Sequence, residues 1–179
     1  MDVLSEVEAE VSEQDILGIH MLKTASYTVE GPLHMGALLG GAGSDDLERL
    51  SRYAMPLGNA FQVQDDILGL FGDATRLGKP VGSDIREGKM TLLVLKALEK
   101  ADPDQRAFLK RMLGNKDVTE EEVEAIRRLV VDTGALDACK EMSRKLVEDS
   151  RRALAECPWR EEGVAFLEGA IEFMVERES

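Results

Sequence analysis

At 179 residues the chain is long enough for one domain with a packed core and too short for two comfortable ones. Its 35 Asp and Glu against 22 Lys and Arg leave a net charge of −13, which repels phosphate backbones and anionic leaflets, so neither nucleic-acid nor membrane-surface binding is expected. A hydrophobic share of 44% excludes a disordered chain, and aromatics at 4% disfavour a base-stacking platform.

In chain order, Met1 to Asp15 is studded with acids and has no basic start or apolar run, so it does not read as a signal peptide. Ser12 can cap a helix carrying Ile16, Leu17, Ile19, Met21 and Leu22, expected to weaken at Gly31-Pro32 because a residue before proline is pushed from the helical region. A second helical stretch, Leu33 to Leu39, stops at Gly40-Gly41-Ala42-Gly43, which lacks the Lys-Ser/Thr of a phosphate-binding P-loop. Ser44, followed by Asp45, Asp46 and Glu48, reads as the N-cap of a long helix to about Phe71, with a kink expected at Pro56. Gly72 to Gly88 loses periodicity and reads as a loop of functional length. Helices are then expected from Lys89 to Ala101, after Asp102-Pro103, after the capping box Thr119 to Glu122, from Ala135 to Glu156 and from Pro158 to Glu176. The acid-rich later helices read as an outer, solvated layer. Cys139 and Cys157 form neither a CxxC motif nor a zinc cluster and are expected to be idle thiols. No apolar run approaches the roughly 20 residues that span a bilayer, so a cytoplasmic chain with no membrane span is expected.

Chemistry is suggested by lone polar residues in uncharged stretches. Lys23 is the one charge between Ile16 and Val29, with Thr24 beside it. Gln62, Asp65, Asp66 and Gly69 fall at i, i+3, i+4 and i+7 and share a helical face, while Phe61, Val63, Ile67, Leu68, Leu70 and Phe71 cover most of the remainder. Paired carboxylates on such a helix require a cation, basic partners or a proton, because desolvating an ion is costly. A salt bridge to a neighbouring helix answers this, and so does Mg²⁺, which often bridges one or two carboxylates to a substrate phosphate. The loop that follows carries Lys79, Arg86 and Lys89 among glycines, which is what a diphosphate beside Mg²⁺ requires. Together with Lys23-Thr24 it favours the metal reading. His20 and His34 lack metal-ligand spacing and read as packed or surface histidines.

The segments Lys23 to Leu33, Phe61 to Gly69 and Gly78 to Lys89, in this order and with these gaps, resemble the trans-isoprenyl diphosphate synthases, or polyprenyl synthetases, of the geranylgeranyl and farnesyl type. The resemblance implies a single all-α domain over residues 1–179, a helical bundle of the isoprenoid synthase type lacking its N-terminal helices. It implies a Mg²⁺-dependent prenyltransferase that condenses isopentenyl diphosphate with an allylic diphosphate, this chain supplying the second aspartate-rich half of the site. By the same match Asp65 is a Mg²⁺ ligand and Asp66 orients metal-bound water. Lys79, Lys23 and Lys89 bind diphosphate, Thr24 and Gln62 line the site near the carbocation, and Asp84 is a possible second-layer metal partner. The motif's third aspartate is replaced by Gly69, and the first aspartate-rich motif and the isopentenyl diphosphate site are absent from these residues. Family members are longer, and Met1-Asp2-Val3 resembles the interior of one. A homodimer or a complementing synthase chain is expected, with little or no condensation by these residues alone. The alternative is a non-catalytic small subunit or interaction partner of a complete prenyl synthase.

Overall fold

The computed structural model describes residues 11–72 and 80–175, and among these every regular element is helical, as expected. Ser12 caps α1 (Glu13–His20) in a full capping box with Asp15. The chain does not weaken at Gly31-Pro32. Instead α1 passes into a π-helical segment, Met21–Glu30, and then directly into α2 (Gly31–Leu39). The π register explains the tolerance of Pro32: the Gly31 N–H bonds back five residues to the Ser26 carbonyl, and Pro32 stands in the first turn of α2, where a missing donor matters least.

The long helix α3 (Ser44–Phe71) is capped by Gly43 rather than Ser44 and runs through Pro56 without ending. Part of the expected loop, residues 73–79, lies outside the described residues, and with it Lys79. The rest is not wholly irregular, because Ser83–Arg86 forms a turn of helix, α4. The next helix, α5 (Leu92–Lys100), begins later than periodicity suggested. The Lys89 N–H closes back onto the Asp84 carbonyl at 2.9 Å, and Thr91 supplies the N-cap, its hydroxyl accepting from the Val94 N–H. Helices α6 (Pro103–Met112), α7 (Glu120–Asp132), α8 (Ala135–Ala155) and α9 (Glu161–Val175) follow. The capping boxes at Asp102 and Thr119 are both formed. Thr119→Ala is expected to cost about 1 kcal/mol by urea unfolding, since it strands the Glu122 N–H that the hydroxyl now accepts from.

The later helices are not an outer layer. Ala135, Cys139, Ser143, Val147, Ser150 and Leu154 form a buried stripe along α8, which packs against α3 more extensively than any other helix does. The charged residues of α8 occupy its opposite face. Helix α3 is therefore the central element. Its first half packs with α8 and α9 around Tyr53, Leu57, Leu154 and Ile171, and its second half packs with α5, α7 and α8 around Val63, Ile67, Leu92, Ile126 and Val130. Two buried hydrogen bonds lock it in rotation: Ser150 Oγ donates to the Tyr53 carbonyl at 2.8 Å, and Tyr53 Oη donates to the Leu167 carbonyl at 2.7 Å. Cys139 is buried against this core, which pushes its thiol up to about 12, with the Asp66 carboxylate adding to the shift and Lys96 opposing it. It is the inert thiol the sequence suggested.

Candidate active site

The π segment crosses α3 with the two chains antiparallel, because residues that advance on one helix meet residues that recede on the other. Their backbones touch at Ala25 and Gly58. A methyl group built on Gly58 would fall 2.3 Å from the Ala25 Cα, so this crossing admits glycine and nothing larger. Thr24 and Ala25 are both buried in this π segment.

Above the crossing the two helices exchange polar side chains. Thr24 Oγ1 donates to Gln62 Oε1 at 2.6 Å, and Gln62 Nε2 donates to Asp66 Oδ1 at 3.2 Å. One turn before Thr24, His20 Nε2 stands 3.5 Å from Asp66 Oδ2. The result is a ladder whose rungs are Thr24 with Gln62 and His20 with Asp66, and the Gln62 to Asp66 bond forms one rail. Sequence spacing brought Gln62 and Asp66 to one face but could not reveal that His20 faces them. The available signal was that His20 lies at i−4 from Thr24 in an apolar run. His34 is spent elsewhere, its Nε2 lying 3.0 Å from the Leu47 carbonyl and 3.1 Å from Ser51 Oγ.

The adjacent aspartates separate. Asp66 is 8% exposed, whereas Asp65 opens to solvent, as does Lys23 beside the buried Thr24. The expectation that both carboxylates sit on a buried surface is thus corrected: residues 65 and 66 are 100° apart on a helix, and the packed partner covers only one of them.

Past the pair, the loop docks onto α3. The Gly82 N–H donates to the Gly69 carbonyl at 3.1 Å, and a methyl group on Gly69 would meet Asp84 Oδ2 at 2.7 Å. A Cβ at the motif's third position would press on the Asp84 carboxylate, which would have to shift to admit it. Asp84 Oδ1 accepts from Lys89 Nζ at 2.6 Å, and Lys89 also pairs with Glu87 at 2.9 Å. These bonds, first to Asp84 and then to Glu87, raise the Lys89 ammonium above its ordinary range against a small opposing effect of burial. Arg86, grouped by sequence with the diphosphate-binding cations, is committed to the scaffold: it donates to the Val81 carbonyl at 2.7 Å and to the Val118 carbonyl at 3.0 Å. Arg127 Nε donates to the Leu70 carbonyl at 2.6 Å and ties α7 to the end of α3.

The polyprenyl synthetase family profile matches residues 1–130. The chain belongs to the polyprenyl synthetase family. It is 36% identical over 177 residues to the geranylfarnesyl diphosphate synthase of Aeropyrum pernix, covering 98% of this chain and 54% of that one. With the geranylgeranyl diphosphate synthase of Saccharolobus solfataricus it shares 33% identity, over 99% of this chain and 53% of the relative. Among solved structures, the geranylgeranyl pyrophosphate synthase of Corynebacterium glutamicum, complexed with isoprenyl diphosphate and magnesium, superposes with a TM-score of 0.90 at 33% identity, over 95% of this chain and 48% of that one. This polyprenyl synthetase chain therefore has the all-α architecture of the synthases and spans about half the length of these relatives. Among the described residues no helix is long and apolar enough to cross a membrane.

Proposed function

We propose that this chain is one all-α domain carrying the second aspartate-rich half of a prenyltransferase site, which binds an allylic diphosphate through Mg²⁺ for condensation with isopentenyl diphosphate. The observation that supports this best is the ladder. Thr24 and Gln62 are 38 residues apart, yet their side chains form one hydrogen-bonded row with Asp66, beside an exposed Lys23 and an exposed Asp65. A buried polar row that leaves a carboxylate oxygen, Asp66 Oδ2, without a hydrogen bond is more than packing requires.

The residues suit the metal. Asp66 Oδ2 is buried without a hydrogen bond, and the donors on offer are hard carboxylate oxygens. Among the described residues no three ligating side chains converge, and Mg²⁺ needs only one or two carboxylates where substrate phosphate and water complete its shell. Asp65 would ligate it and Asp66 would orient its water, with Asp84 in the second layer of contacts. When bound, the metal neutralises the diphosphate as a leaving group. Lys23 and Lys79 add positive charge there, and Lys89 does so when it leaves Asp84 and Glu87. Gln62 Oε1 and Thr24 Oγ1, each keeping a lone pair beyond the bond they share, present oriented negative dipoles to the allylic cation left when the C–O bond breaks. The double bond of isopentenyl diphosphate then attacks that cation, and loss of a proton completes the longer chain.

The partner we propose is a complementing synthase chain, a homodimer being the other expectation. Ile19, Leu22, Tyr27, Met35, Leu38 and Leu39 are exposed along α1, the π segment and α2, an apolar face that polypeptide equivalent to the rest of the relatives' length would cover. This face also favours the alternative, a non-catalytic small subunit of a complete synthase. Calorimetric titration with inorganic pyrophosphate, with and without Mg²⁺, separates the two. Mg²⁺-dependent heat is expected, with no chain-extended product when isopentenyl diphosphate and allylic diphosphates from dimethylallyl to farnesyl are added. Absence of Mg²⁺-dependent heat would leave the non-catalytic reading, and efficient turnover by the chain alone would overturn the half-site.

A further inference from the structure

Two buried polar atoms at this ladder lack a hydrogen bond: Asp66 Oδ2 and His20 Nδ1. They belong to the two residues of a single rung, whose facing atoms are 3.5 Å apart. Both side chains are 8% exposed, so water competes poorly for either. We infer that His20 is a positioning residue for Asp66: it fixes the inner carboxylate from the side that Gln62 does not reach, and so sets the direction of the lone pairs that Asp66 presents to the bound diphosphate complex. This inference rests on the function proposed above.

The geometry favours His20 for this task. A carboxylate gripped at one oxygen by an amide still turns about the bond to its Cβ, and the imidazole packed 3.5 Å from the other oxygen limits that turn. His20 and Thr24 lie one turn apart on one helix, and Asp66 and Gln62 one turn apart on the other. The same crossing at Ala25 and Gly58 therefore sets the spacing of both rungs. The backbone that carries His20 is fixed, because His20 closes α1 where the helix changes register and Ile16, one turn before it, is buried in the core. Lysine at this position would bring a flexible stem, whereas the ring reaches Asp66 with two rotatable bonds. His20 touches no substrate and acts through Asp66.

The test uses Mg²⁺ and inorganic pyrophosphate with the whole chain and three variants at His20. His20→Leu removes the contact. His20→Gln places an amide nitrogen near the position of Nε2, and His20→Asn carries a polar group too short to reach. Leu and Asn are expected to weaken pyrophosphate binding about 10-fold or more while melting cooperatively, and Gln to recover to within about 3-fold of the unmodified chain. Adding His20→Leu to Asp66→Asn should weaken binding no further than Asp66→Asn alone. Unchanged affinity in both Leu and Asn variants overturns the inference while leaving the proposed function standing. So does a Gln variant as weak as Leu, which would mark a packing role. If the unmodified chain shows no Mg²⁺-dependent binding, the proposed function fails and takes this role with it.

Discussion

Asp65→Ala is expected to weaken Mg²⁺-dependent pyrophosphate binding on the order of 100-fold, about 2.8 kcal/mol, while leaving the stability of the chain within about 0.5 kcal/mol of its starting value. The separation of these effects follows from exposure. Asp65 opens to solvent on α3, so its truncation leaves no cavity in the core. What disappears is a hard oxygen ligand, and Mg²⁺ with few protein ligands has little to spare. Asp66→Ala makes the contrast. Because Asp66 accepts from Gln62 and faces His20 while 8% exposed, its removal is expected to lower both affinity and stability. Calorimetry for binding and urea unfolding for stability read the two apart. Equal affinity in Asp65→Ala and the unmodified chain would remove Asp65 from the site.

Gly58→Ala is expected to destabilise the fold by on the order of 3 kcal/mol, although alanine in a helix interior normally gains about 1 kcal/mol over glycine. The sign is decided by the neighbour. The new Cβ would lie 2.3 Å from the Ala25 Cα and 2.7 Å from its Cβ, both of them rigid, so the helices must separate rather than a side chain move aside. Separation would also lengthen the Thr24 to Gln62 bond, now 2.6 Å, and binding should fall together with stability. Gly36→Ala is the control, because a Cβ there meets nothing within 4 Å on the exposed face of α2 and should bring the ordinary helical gain. Urea unfolding of the two variants, with midpoints moving in opposite directions, checks the argument.

The lettering of the helices was largely legible because caps and periodicity are local. Ser12, Asp102 and Thr119 each bond to a backbone N–H three residues on, and nothing beyond that turn is needed to infer it. The structure departs from the local pattern where distant contacts decide. The π segment carries no local signal, since its apolar residues would serve an α-helix equally well, and it is the stretch whose Ala25 packs against Gly58 of α3. The burial of α8 is not legible locally, because a stripe of small and polar residues, Ala135, Ser143 and Ser150 among them, does not look like a core face until Tyr53 meets it.

By itself the sequence determined the all-α class, the family, and the candidate residues Lys23, Thr24, Gln62, Asp65 and Asp66, since type and spacing carry that information along one chain. Tertiary structure alone decided that Asp66 turns inward and Asp65 outward, that Lys89 is held by Asp84, and that His20 stands opposite Asp66. These are questions of which face of a helix meets another helix. Two side chains 46 residues apart become neighbours through the crossing at Ala25 and Gly58, where the absence of a side chain lets the backbones close.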